Sequence, residues 1–214
     1  DQSRWTECPF LLKREKFSEL SGNPDVEIYV GADSDKIGEA TKGDCFINGV
    51  STGAMIKKDA KEFHKTVQIV FQNPFDTFTP RDTIGKILMR PLKNYKIGKN
   101  DQERYQICLK GLEQGGLRPA EDIMKRFPHE LSGGQLQRIS IIRSMFRNPQ
   151  FIIADEPVSM LDVSVRADII NMLIDLSRNQ GAAVLFISHD IALTRYISDY
   201  IAVMYWAGRG IWNR

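Results

Sequence analysis

The strongest constraint on the fold is a strand–helix–strand pattern in the last third of the chain. "FIIAD" (151–155) and "AVLFIS" (183–188) are continuous apolar runs, the composition expected of parallel strands covered on both faces. Between them, "VSVRADIINMLIDLSRNQG" repeats apolar residues at Val165, Ile169, Leu173 and Leu176 and stops at Gly181. That is helical spacing closed by a C-terminal glycine. A strand, a helix and a second strand in this order form a βαβ unit, so the fold class is α/β with a mostly parallel sheet.

The pattern extends upstream. "VQIVF" (67–71) is a β-branched run that predicts a further buried strand, and "DCFING" (44–49) predicts a strand and a turn. "KKDAKEFHK" (57–65) predicts a charged helix with a solvated face, and "NPFDTFTPRDT" (73–83), with two prolines, a loop. "QERYQICLKGLEQGG" puts Tyr105, Cys108, Leu109 and Leu112 on one helical face and ends on a glycine pair. Residues 1–42 are less patterned: "IYV" (28–30) reads as a short strand, and "GADSDKIGEATKGD" is polar and turn-rich.

Composition narrows the function classes. A net charge of +2 over 214 residues gives no electrostatic reason to expect nucleic acid or an anionic membrane as partner. Cys8, Cys45 and Cys108 are far apart and match no metal-ligand spacing, which fits free thiols in a reducing compartment. No apolar run approaches the ~18 residues that span a bilayer. The opening "DQSRWTECPF" lacks the basic start and apolar block of a secretory signal. A cytoplasmic protein, able to sit against a membrane protein, is the expectation.

Two stretches carry chemistry. In "FIIADE", Asp155 stands at the carboxyl end of an apolar strand, where open α/β sheets bind ligands. There it can hold Mg²⁺, and Glu156 beside it can polarise a water for attack on a phosphate. In "LSGGQLQR" (131–138), Ser132, Gly133 and Gly134 precede a helix. Its free amides and dipole favour an anion, and glycines let the backbone approach phosphate oxygens. His64 and His129 read as structural histidines.

"LSGGQ" shortly before "IIADEP", then "SMLD" (159–162) and "ISHD" (187–190), resembles the ATPase subunit of ABC transporters over roughly residues 43–205. "VFQNPFDTFTPRDTI", "RFPHELSGGQLQRISIIRSM" and above all "LDVSV" are most similar to the dipeptide/oligopeptide importers, a group that includes nickel importers. The resemblance implies a P-loop NTPase-like core at 43–75 and 146–214, a helical subdomain carrying the signature at 76–145, and an unassigned segment at 1–42. It implies ATP and Mg²⁺ as cofactors. Gln72 would contact Mg²⁺ and the attacking water and relay nucleotide state to the permease. Ser132, Gly133, Gly134 and Gln135 would bind the γ-phosphate of ATP held by the opposite subunit. Asp162 would touch the partner across the dimer, and His189 would bond the γ-phosphate and help position the water. Phe75 and Phe78 are candidate contacts for a short permease helix, with core packing the equal alternative.

The resemblance also implies a G-x-x-x-x-G-K-[ST] loop upstream, and the sequence contains no such string. Family spacing points to "LSGNPDVEIY" (20–29), which keeps only Ser21 and Gly22; "GADSDKIG" offers only Gly31 and Lys36. Trp5, Phe10 and Phe17 are the aromatic candidates for stacking on adenine. After "YIAVMY" the chain ends on "WAGRGIWNR", where the resemblance implies a further strand and a long extension. The expectation is that reading-frame shifts or truncation at both flanks underlie these departures, with a divergent pseudo-ATPase as the rival.

The leading expectation is therefore an ATP-hydrolysing subunit of a peptide or nickel importer, whether or not this chain is itself active. It would work as a homodimer or heterodimer with a second ABC ATPase subunit, against transmembrane permease subunits on the inner face of the membrane, without nucleic acid. The alternative is a silent subunit that lends only its signature half-site to a competent partner. A soluble ABC ATPase of translation or DNA repair is disfavoured by "LDVSV".

Overall fold

The computed structural model describes residues 46–199 and 201. The readings placed on "IYV", on the two candidate phosphate loops, on Trp5, Phe10, Phe17, Cys8 and Cys45, and on "WAGRGIWNR" lie outside the described residues. The chain divides into two compact units, 1–54 with 192–214, and 55–191.

In the first unit, β1 (Phe46–Ile47) and β2 (Val50–Ser51) pair antiparallel. Asn48 and Gly49 between them both have positive φ, 52° and 73°, the two-residue hairpin turn that matches strand twist. The strand and turn read in "DCFING" are therefore present. Helix α1 (Thr52–Thr66), whose residues from Met55 onward belong to the second unit, contains no buried residue, as a solvated charged helix requires. It is broken at Asp59, whose backbone is extended (φ −159°, ψ 93°). The Asp59 carboxylate accepts from the amides of Lys61 and Glu62 at 2.9 and 3.0 Å and so caps the second half.

The second unit holds the parallel sheet. Strands β3 (Val67–Val70), β4 (Phe151–Asp155) and β5 (Ala183–Ile187) lie in the order β3-β4-β5. Their register runs from Val67↔Phe151↔Ala183 to Asp155↔Ile187. Because all three run the same way, Gln72, Glu156 and the 188–190 turn emerge at one edge. One sheet face, bearing Gln68, Val70, Ile152 and Ala154, is buried. The expectation that both faces are covered does not hold for β5, where Val184 and Ile187 are 37% and 43% exposed. An apolar run reports what a strand can bury, not what lies over it.

Between β3 and β4 the chain forms helices α2 (Ile84–Asn94), α3 (Asp101–Gln114), α4 (Ala120–Lys125) and α5 (Gly133–Met145). Short 3₁₀ turns at Pro74–Thr77 and Pro128–Glu130 set their entry angles. Thr83 and Asn100 cap α2 and α3 through their side chains. Leu88, Leu92, Cys108, Leu112, Leu136 and Ile139 are fully buried in a cluster built from these four helices. The predicted face of α3 is correct: Cys108, Leu109 and Leu112 are inside, and Tyr105 packs at the margin. Helix α6 (Val163–Gln180) joins β4 to β5 and stops at Gly181, in the left-handed conformation. The predicted βαβ unit is thus present, with its buried stripe on Ile169, Ile170 and Leu173. Helix α7 (Ile191–Ile197) follows β5.

Candidate functional site

Glu156 immediately follows β4 and has φ +42°, left-handed backbone that a glutamate rarely adopts. Two bonds pin it there. Its amide donates to the Ile187 carbonyl at 2.9 Å, extending the β4–β5 ladder, and its carbonyl accepts from the Ser159 amide at 3.2 Å. This turn swings the carboxylate toward its neighbours at the strand ends. Glu156 Oε1 meets Nδ1 of His189 at 2.9 Å, and Oε2 accepts from Nε2 of Gln72 at 2.9 Å. The same Gln72 nitrogen reaches the Ser159 hydroxyl at 3.1 Å, and that hydroxyl donates to the Glu156 carbonyl at 3.0 Å. The hydrogen bond from His189 is the main influence holding the Glu156 carboxyl below its ordinary range.

Three predicted residues separated by 84 and 33 positions are therefore joined in one cluster. Ser159 is a member that sequence reasoning missed. Its signal was the position three residues after Glu156, where a serine hydroxyl turns back to the backbone. Asp155 lies beside the cluster, exposed at the end of β4, and its carboxylate has no partner among the described residues. Because the Gln72 amide nitrogen is engaged, Gln72 Oε1 is left as an acceptor. Uncommitted carboxylate and amide oxygens at the mouth of a parallel sheet are the donor type a hard divalent cation takes.

The predicted signature residues form a separate arrangement. Ser132 caps α5: its hydroxyl accepts from the Gln135 amide at 3.3 Å, and the Gln135 side chain accepts from the Ser132 amide at 3.0 Å. This reciprocal capping box satisfies the first turn of the helix. Gly133 and Gly134 are partly exposed, so the helix start is open to a ligand from outside. Their reasons for being glycine differ. A Cβ at Gly133 would stand 3.5 Å from Leu161, an ordinary contact, whereas one at Gly134 would stand 2.9 Å from Val165 Cγ1 of α6. None of these four residues bonds to the Glu156 cluster.

Asp162 precedes α6 at its N-cap position, yet its side chain makes no capping bond and is exposed. A carboxylate there normally turns inward to cap; this one is left facing out, flanked by Met160 and Val163, 63% and 78% exposed. Phe78 is buried under Arg143, 4.8 Å from its ring, whereas Phe75 is 48% exposed. His129 stacks on Phe127, with centroids 5.6 Å apart. Among the described residues no group of three or more His, Cys, Asp or Glu is arranged to hold a metal ion. Among them, too, no helix is long and apolar enough to cross a membrane.

A parallel sheet with a polar cluster at its carboxyl edge and an inserted helical layer is a P-loop NTPase-like α/β fold. Residues 36–159 match the ABC transporter family, and the chain belongs to it. It is 42% identical over 168 residues to the oligopeptide transport ATP-binding protein OppF of Bacillus subtilis (strain 168), covering 78% of this chain and 54% of that protein. It is 43% identical to a putative peptide import ATP-binding protein of Brucella ovis, covering 78% and 52%. The chain spans about half the length of these curated relatives. The dimeric structure of the bacterial ABC transporter cassette MJ0796 superposes with a TM-score of 0.60 at 30% identity, over 73% of this chain and 66% of that one. A post-hydrolysis dimer of the same cassette bound to ADP and Pi superposes with a TM-score of 0.60 at 27% identity, over 85% and 72%.

Proposed function

We propose that this chain serves as the ATP-binding and ATP-hydrolysing subunit of an importer for peptides or nickel. The observation that carries this reading is the Glu156 cluster, in which carboxylate, imidazole and amide converge at 2.9 Å on the strand-end edge. Glu156, kept ionised, orients and polarises the attacking water, with Gln72 and His189 fixing the direction of its carboxylate. Asp155 and the free oxygen of Gln72 are the groups that would hold Mg²⁺, which when bound neutralises phosphate charge. Ser132, Gly133, Gly134 and Gln135 bind the γ-phosphate of a nucleotide held by a second subunit. Asp162 meets that subunit, and the exposed Met160 and Val163 beside it supply apolar contact. Residues 76–145 act as a helical subdomain between core segments 43–75 and 146–214, a division supported by the separate hydrophobic cluster of α2–α5. Permease subunits would place the protein at the inner face of the membrane, and exposed Phe75 is the apolar contact offered to them.

A second reading rests on the absence from the sequence of a G-x-x-x-x-G-K-[ST] string. Under it, the chain lends only its signature to a competent partner's nucleotide. A Mg-ATP titration of the chain and of Glu156→Gln separates the two. The first reading expects nucleotide binding and a nucleotide-locked dimer in the variant. Binding only in mixtures with a competent relative supports the second, and no binding in either setting overturns both.

A further inference from the structure

On α5, Ser140, Arg143 and Ser144 fall at i, i+3 and i+4 on one side of the helix, and Arg147, in the turn just past its end, lies on the same side. That side faces a recess of about 270 Å³ between β3, α2 and α5, lined across from it by Thr77 and Arg90. The volume is several times the ~30 Å³ share of a liquid water. No aspartate or glutamate lines it.

The charges in this recess are incompletely answered. Arg90 is paired with Asp82. Arg143 donates only from Nη1, to the Thr77 carbonyl at 3.2 Å, and lies over the Phe78 ring. Arg147 donates only from Nη1, to the His64 carbonyl and Gln68 Oε1 at 3.2 and 2.9 Å, and lies 4.7 Å from the Tyr95 ring. Neither has a carboxylate partner among the described residues, and Nε of Arg147 is buried without any partner. Each guanidinium carries five N–H donors, so most of this donor capacity is unused. Ser140, 3% exposed, also leaves its hydroxyl without a partner among the described residues. Burial, and then the neighbouring Arg147, push the Arg143 guanidinium down to about 10. Like charges that are partly withdrawn from water cost free energy, which an anion between them offsets.

We infer that this recess is an oxyanion pocket, in which Arg143 and Arg147 together bind a phosphate or carboxylate group and the Ser140 hydroxyl takes up one of its oxygens. The planar guanidinium fork matches both anions. The group arrives either as a free anion or on an acidic side chain of a bound polypeptide. The pocket contains none of the Glu156 cluster, so it stands apart from the nucleotide chemistry proposed above.

Side-chain Nε–H signals of ¹⁵N-labelled protein test this without nucleotide. Inorganic phosphate is titrated at ionic strength held constant with sodium chloride. A second arm uses an acetylated, amidated peptide with one glutamate between leucines. The Arg143 and Arg147 signals are expected to shift saturably, while Arg104, held by Asp101 at 2.9 Å elsewhere, stays still. Arg147→Gln is expected to weaken binding about tenfold, the worth of one charge-assisted hydrogen bond. Saturation by phosphate assigns the pocket to a free anion, and saturation by the peptide alone assigns it to an acidic side chain. Signals that move with neither probe, or equally with chloride, overturn the pocket. Should Arg147→Gln misfold, the wild-type shifts decide alone, with Ser140→Ala as the milder variant.

Discussion

Nδ1 of His189 lies 2.9 Å from Oε1 of Glu156. A carboxylate can only accept, so the imidazole carries its proton on Nδ1, and in the neutral ring Nε2 is then bare. An imidazole that holds Glu156 in this way donates to a phosphate only as the imidazolium.

Replacing His189 by alanine removes the strongest influence on the Glu156 carboxyl, which is expected to titrate closer to its ordinary value of 4.5. The carboxyl is depressed in the folded protein. Its contribution to stability is therefore present above that ordinary value and lost as pH falls through the folded one. A ¹³C-carboxyl titration of wild type and His189→Ala checks this; superimposable curves would remove His189 from the cluster.

Ser132→Ala is expected to cost about 0.5–2 kcal/mol, because it leaves the Gln135 amide without its cap. Urea unfolding measures it. A loss restored by Ser132→Thr assigns the cost to the capping oxygen.

Gly134→Ala drives a methyl to 2.9 Å from Val165 Cγ1 and is expected to cost about 1–3 kcal/mol. Gly133→Ala, at 3.5 Å from Leu161, should change stability little. Paired thermal melts test the contrast. Adding Val165→Ala to Gly134→Ala should recover part of the loss, and equal costs at the two glycines would contradict the packing described.

Cys108 is fully buried and its thiol is pushed up to about 12 by loss of solvent. Because the folded value is raised, its contribution to stability is complete below the ordinary value of 9.0 and disappears as pH rises through the folded one. Iodoacetamide at pH 8 should leave it unmodified until denaturant is added, as read by peptide mass spectrometry. Rapid native labelling would mean that α3 opens readily.

Periodicity and punctuation were enough to read the βαβ unit, because apolar runs, Gly181 and the strand-end acids each have a local cause. The buried face of α3 and the solvated α1 were legible for the same reason. The break at Asp59 was not: "DAKE" reads as an uninterrupted helical run, although an aspartate three residues before a glutamate is also a cap. Nor was the left-handed backbone of Glu156, which depends on a bond to Ile187 in another strand. Burial of Phe78 but not Phe75 rests on where α5 passes, which neither phenylalanine's neighbours encode. The polar stripe along α5 and the turn after it stayed hidden because arginines and serines normally mark a solvent face, and here they line a recess.

Gln137, fully buried on α5, donates from Nε2 to the carbonyl of Phe71 at 3.2 Å, just before Gln72. That bond ties the glycine-led helix to the peptide that carries Gln72. The start of the helix and the peptide bearing the Gln72–Glu156 contact thus share one buried tie. Two motifs some sixty residues apart are in this way joined through an amide withdrawn from solvent.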